Sequence, residues 1–184
     1  FLGKPIIAYS IETAVGSGLF DEVMVSTDDD EIAKLAQSFG AKVPFKRGEK
    51  NADDFATTFD VLKEVLDNYK SIEHNFDFAC CIYPTAPLVQ VKHLAEGYKL
   101  LKSQNFYSVF PVVAFSYPVW RGLEINGNKI SPVWPEYKQS RSQDLKKVYH
   151  DAGQWYWFRP DKIEDSLFTD NSSAIVLEET EVQD

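Results

Sequence analysis

The residues of this chain that could do chemistry fall into three clusters, and in each a structural reading competes with a functional one. Val25-Ser26-Thr27-Asp28-Asp29-Asp30 joins an apolar run to a polar helical one. Open α/β sheets bind ligands where strands end and helices begin, which makes Asp28 a candidate for a nucleotide site. Thr27 or Asp28 could equally cap the helix. The same three aspartates could also serve as the metal-binding Asp-x-Asp of a nucleotide-sugar glycosyltransferase. Tyr83-Pro84-Thr85-Ala86-Pro87 holds two prolines after the most apolar stretch. It makes a stiff loop that offers the Tyr83 and Thr85 hydroxyls, or simply a rigid turn. Arg121, Arg141 and His150 each read as solvated surface groups when taken singly. Together they could clamp a carboxylate, because the planar guanidinium fork makes two charge-assisted hydrogen bonds to one carboxylate.

Tyr149 to Gln154 precedes Trp155-Tyr156-Trp157-Phe158, four aromatics that suit a sheet core better than a base-stacking platform. No Cys, Ser or His nucleophile system is evident, and His74 and His93 need no catalytic explanation.

The elements that must position these groups follow from periodicity and turn chemistry. Pro5 opens a helix whose apolar residues run to Val15, with Gly16 and Gly18 as its stop. Glu22 to Ser26 reads as a strand, Asp28 to Phe39 as a capped helix ended by Gly40, and Lys42 to Lys46 as a second strand. An amphipathic helix is predicted from Ala56 to Tyr69, with Phe59, Leu62, Val65 and Leu66 on one face. A strand from Phe76 to Tyr83, a helix from Val91 to Ser103 and a strand from Ser108 to Val113 follow. Such alternation predicts a largely parallel sheet with helices on both faces. From Phe115 to Asp151 the helical period is lost, and Asn126-Gly127 sits between two apolar runs, the signal of a β-hairpin. Gly153 to Phe158 returns as a core strand, Asp161 to Ser166 as a short helix or turn, and Ser173 to Leu177 as a late strand.

Bulk properties narrow the function. A chain of 184 residues with 44% hydrophobic content can bury one core and is short for two. A net charge of −9, with no stripe of Lys and Arg, argues against a nucleic-acid surface. It leaves room for an anionic substrate neutralised locally by a few basic groups and a divalent cation. No apolar run reaches the length of a membrane span and no signal-peptide pattern opens the chain, so a cytoplasmic protein is expected. Cys80 and Cys81 are adjacent in a predicted strand, point to opposite faces and could hardly pair with each other.

Four motifs in series, Tyr83-Pro84-Thr85-Ala86-Pro87, Pro135-Glu136-Tyr137, Arg141-Ser142-Gln143-Asp144-Leu145 and Tyr149 to Gln154, resemble the CMP-sugar synthetases. These are the cytidylyltransferases of sialic acids and related nine-carbon sugars. In detail the motifs are most similar to the pseudaminic acid branch, and the resemblance runs over essentially the whole chain. It implies a Rossmann-like nucleotidyltransferase: a three-layer α/β fold with a mainly parallel sheet and an inserted β-hairpin dimerisation arm over residues 115–151. It also implies one cytidylyltransferase domain whose first strand and triphosphate loop would precede Phe1, with a further carboxy-terminal part.

By the same resemblance, Arg47, Ala56 and Thr58 line a cytidine pocket. Tyr83, Thr85, Arg121, Arg141, Gln143 and His150 face the sugar, and Asp184 is the first carboxylate of a Mg²⁺-binding Asp-x-Asp. Sialic acid synthetases tend to carry Gln where Tyr83 stands, Arg where His150 stands and Asn where Ala152 stands. The expected activity is therefore transfer of CMP from CTP to the anomeric hydroxyl of a nonulosonic acid, pseudaminic acid ahead of N-acylneuraminate or legionaminic acid. The expected partners are CTP, the sugar acid and a second copy of the chain. A glycosyltransferase and a noncatalytic nucleotide-binding module are the alternatives.

Overall fold

The computed structural model describes residues 1–53 and 55–183. Its helices begin and end where local chemistry dictates. Helix α1, Ile6–Ser17, starts after Pro5 and ends at Gly18 in the left-handed conformation, so Gly16 lies inside the helix and only Gly18 stops it. Helix α2, Asp30–Ser38, is capped by Asp29, whose carboxylate accepts from the Glu31 and Ile32 amides. The cap therefore falls within the Asp28 to Asp30 run, one residue beyond Asp28 and two beyond Thr27, and leaves Asp28 exposed. Helix α3, Thr58–Ser71, opens on a capping box in which Thr57 and Asp60 satisfy each other's backbone amides.

The expected strands at Glu22 to Ser26 and Lys42 to Lys46 are reduced to one parallel bridge between Met24 and Lys42. Val25 and Lys42 supply its amides. Strand β1, Ala79–Ile82, leads through the proline loop into helix α4, Val91–Gln104, and on to strand β2, Ser108–Ala114. The arm follows, with strands β3, Leu123–Asn126, and β4, Lys129–Pro132, joined at Gly127-Asn128. The chain then returns through β5, Tyr149–Asp151, and β6, Trp155–Phe158, before a turn at 161–166 and strand β7, Ser172–Leu177.

The sheet corrects the parallel expectation. Strand β6 pairs antiparallel with both β1 and β2, β5 pairs antiparallel with β2, and β7 alone joins β2 in parallel. The β1–α4–β2 crossover does set its two strands parallel to each other, as the alternation demands. The strand returning from the arm then slots between them in the opposite sense. An excursion that comes back without a helix delivers an antiparallel strand, and β5, which pairs with the end of β2, was hidden inside the segment assigned to the arm.

Both sheet faces are covered. Trp155 and Trp157 of β6 pack with Leu94 and Leu101 of α4, while Tyr156 and Phe158 pack with Phe110 and with Leu62 and Leu66 of α3. This is the period-2 alternation of a strand buried on both sides. Cys80 and Cys81 obey it too, one on each face, and burial pushes the Cys81 thiol up to about 12 and that of Cys80 well above its usual range. Neither is a reactive thiol. Among the described residues no helix is long and apolar enough to cross a membrane.

Candidate active site

Tyr83 leaves β1 at the carboxyl edge of the sheet and is held on both sides. Its amide donates to the Gln154 carbonyl at 2.9 Å, and its own carbonyl accepts from Ser10 Oγ of α1 at 2.8 Å. With the backbone fixed, its ring tilts against Tyr156, centroids 5.4 Å apart. Its hydroxyl lies 3.0 Å from Thr58 Oγ1. Thr58 is thus the meeting point of the expected nucleotide and sugar groups.

Helix α3 is tied in turn to the segment that follows Arg47. Asp53 accepts from the Phe55 and Ala56 amides, which bends the chain into the helix and sets Ala56 at its entrance. Glu64, from the second turn of α3, accepts from the Gly48 amide at 2.6 Å and from Asn51 Nδ2 at 2.5 Å. Arg47 reaches across to Ser26, donating from Nε to Oγ at 3.1 Å and from Nη2 to the carbonyl at 2.5 Å. Thr58 is therefore joined to Tyr83, while Arg47 is anchored on Ser26 and the residues that follow it are tied to α3 through Glu64.

Through its ring contact with Tyr156, Tyr83 leads to two residues that the motif reading did not assign. The Tyr156 hydroxyl donates to Asp151 Oδ2, and the Gly153 amide donates to Asp151 Oδ1 at 3.2 Å. Burial first, then the Asp151 carboxylate and the nearby Tyr83, push the Tyr156 phenol far above its usual range, so it stays a donor. Tyr156 is 2% exposed. The pair was legible only as an acid inside a motif and an aromatic inside a strand. The turn at 152–154 that folds one onto the other has no sequence signal beyond Gly153.

The arm groups are arranged differently. Arg121 Nη1 donates to Ser142 Oγ at 3.2 Å, and Arg141 Nε pairs with Asp144 at 2.8 Å, both on the surface. These contacts bring the two arginine segments together through Ser142. His150 packs its ring against Phe115, and its Nδ1 lies 2.8 Å from the Asp151 carbonyl. A carbonyl only accepts, so that nitrogen carries the proton. Asp28, Thr85 and Gln143 are exposed, and no hydrogen bond described here ties them to the other candidates. The arm also buries more of its aromatics than a bare hairpin could, since Trp120 packs edge-to-face on Trp134, tilts against Tyr137 and donates to the Lys146 carbonyl.

Asp184, expected to hold the metal, lies outside the described residues. Among the described residues no group of three or more His, Cys, Asp or Glu side chains is placed to hold a metal ion, and the Asp28 to Asp30 run forms none, Asp30 pairing instead with Lys46. The segment leading to Asp184 is nevertheless firmly docked. Glu181 accepts from Gln90, Lys92 and His93 at the start of α4, and Gln154 donates to its carbonyl.

Comparison with known proteins adds to this geometry. The profile of one family, cytidylyltransferase, matches residues 1–164. A pseudaminic acid cytidylyltransferase of Campylobacter jejuni is 42% identical over 182 residues, covering 96% of this chain and 78% of that protein. A Helicobacter pylori protein named as a pseudaminic acid cytidylyltransferase and a UDP-2,4-diacetamido-2,4,6-trideoxy-beta-L-altropyranose hydrolase is 36% identical, with the whole chain matching 36% of it. Among solved structures, a CMP:2-keto-3-deoxy-manno-octonic acid synthetase complexed with CTP superposes with a TM-score of 0.64 at 17% identity, over 96% of this chain and 80% of that one. At that identity the likeness is one of fold.

Proposed function

The chain belongs to the cytidylyltransferase family, and from that premise we propose that it is a cytoplasmic enzyme that transfers CMP from CTP to the anomeric hydroxyl of a nonulosonic acid, pseudaminic acid in preference to N-acylneuraminate. The observation that carries the reading is the contact between Thr58 and Tyr83. It joins a helix start suited to a nucleotide to a loop suited to a sugar, at one sheet edge. The names of the relatives support the sugar, as do Tyr83, His150 and Ala152, three positions at which this chain departs from the sialic acid pattern.

On this reading the anomeric oxygen attacks the α-phosphorus in line, a new P–O bond forms, pyrophosphate leaves, and the hydroxyl proton passes to solvent. Positioning is the protein's main contribution. Arg47, Ala56 and Thr58 hold the cytidine with Asp28 at its rim, and Tyr83 and Thr85 hold the sugar ring. Arg121, Arg141, Gln143 and His150 hold the sugar carboxylate. Mg²⁺ with Asp184 as a ligand belongs to the same proposal; it rests on the motif at the carboxy terminus and on no described side chain.

The arm supplies the assembly. Leu123, Ile125 and Ile130 stand on one face of the hairpin, with Ile125 opposite Ile130, and are 60%, 73% and 64% exposed. A two-stranded hairpin with a bare apolar face is marginal by itself, and a second copy of the same face would cover it. The reading is therefore a homodimer through residues 115–151. Pyrophosphate release from CTP, dependent on added sugar acid, tests the activity; equal turnover of UTP or ATP would refute the nucleotide assignment.

A further inference from the structure

Asp151 poses an electrostatic problem for an enzyme of an anionic sugar. It ends β5 opposite Val112, accepts from Tyr156, whose ring lies against Tyr83, and is only partly exposed. Among the described residues it takes part in no ion pair, and the neighbouring His150 directs its Nδ1 to the Asp151 backbone carbonyl rather than to the carboxylate. Partly buried carboxylates without a counter-charge are costly, and they persist where hydrogen bonds replace it. Here two do: the Tyr156 hydroxyl on one oxygen and the Gly153 amide on the other. A carboxylate can accept about four hydrogen bonds, so acceptor capacity remains on both oxygens.

The mounting is rigid. Tyr156 is locked among Phe110, Tyr83 and Phe168, with centroids 5.8, 5.4 and 6.3 Å away. Tyr83 is locked in turn at Thr58. A fixed, acceptor-only group beside the sugar loop selects donors and repels anions.

Resting on the function proposed above, we propose that Asp151 determines substrate specificity by accepting hydrogen bonds from an N–H or O–H group of the sugar acid, and that its charge turns the substrate carboxylate away toward the arginines of the arm. Tyr156 acts through Asp151 and is a positioning residue.

The test uses the full-length protein with CTP and sugar acids in steady state. Asp151→Asn should raise the KM for the sugar acid by about tenfold or more and leave the KM for CTP within about twofold. The Tyr156→Phe variant should shift the same constant in the same direction by less. Comparing a sugar acid bearing acylamino groups with one bearing hydroxyls alone identifies the donor: the Asn variant should lose its preference for the acylamino compound if N–H is read, and should weaken both alike if O–H is read. A wild-type enzyme that is active while Asp151→Asn keeps both Michaelis constants overturns this inference alone. Equal increases in both constants, with a lowered melting temperature, mean a structural role and overturn it too. A wild-type protein inert with CTP and every sugar acid refutes the underlying function, and this inference with it.

Discussion

The sheet core around β6 and the arm beyond β2 are both rich in aromatic and branched side chains, yet they treat them oppositely. Trp155 and Trp157 are 0% and 2% exposed, while Tyr117 and Ile125 of the arm are 85% and 73% exposed. In the core, each ring is fixed by its own chain: Trp157 donates to the Leu94 carbonyl and stacks on Phe20. In the arm, the Trp120 cluster is the fixed part, and Leu123, Ile125 and Ile130 on the hairpin face stay mostly exposed. Hydrophobic content alone therefore does not mark a core. The core sets where Tyr83 and Asp151 sit, whereas the arm leaves apolar surface exposed, the surface that the proposed dimer would cover.

The sharpest way to break this comparison is to remove the arm. Deleting residues 123–137 should abolish self-association and sugar-dependent turnover together while the far-ultraviolet spectrum keeps its helical character. An active monomer, by mass in solution, would contradict the role given to the hairpin. Next in size is the charge on the arm. Arg121→Ala and Arg141→Ala should each raise the KM for the sugar acid on the order of 10- to 100-fold, as expected when one member of a desolvated charge pair is lost, with CTP affected less.

The core should respond in stability instead. A Cβ on Gly97 of α4 would come within 2.5 Å of Trp155 and 3.1 Å of Trp157. Alanine gains up to about 1 kcal/mol in helix propensity, but overpacking costs about 1–3 kcal/mol. Because the clash is with two immobile rings, Gly97→Ala should be destabilising and lower the melting temperature.

The smallest effect belongs to the docked tail. Lys92 foremost, then the Glu178 amide and His93, hold the Glu181 carboxyl down at about 2 from an ordinary 4.5. A depressed acid contributes stability that is complete above its unfolded value and lost as pH falls toward the folded one. Glu181→Gln should therefore flatten the decline of melting temperature between pH 4.5 and 2 and change little at neutral pH.

The sequence made the helices and the hairpin legible because their signals are local. Pro5 before α1, the Phe59, Leu62, Val65 and Leu66 face of α3 and Asn126-Gly127 in the arm act within a few residues or turns. Strand direction is a nonlocal property. The β1–α4–β2 alternation does give two strands of the same direction, but the parallel sheet expected from it fails because β6 enters between them in the opposite sense. The site divides in the same way. Motifs exposed Tyr83 and the arginines, but the join of Thr58 to Tyr83 and of Asp151 to Tyr156 needed the chain folded.

The most direct test of the central claim is the mass of the product formed when the full-length protein is given CTP together with equal amounts of pseudaminic acid and N-acetylneuraminic acid. The expected result is the CMP ester of pseudaminic acid in clear excess, with one pyrophosphate released for each ester. A product that is mainly the N-acetylneuraminic acid ester would contradict the substrate assignment, and no CMP ester at all would contradict the function.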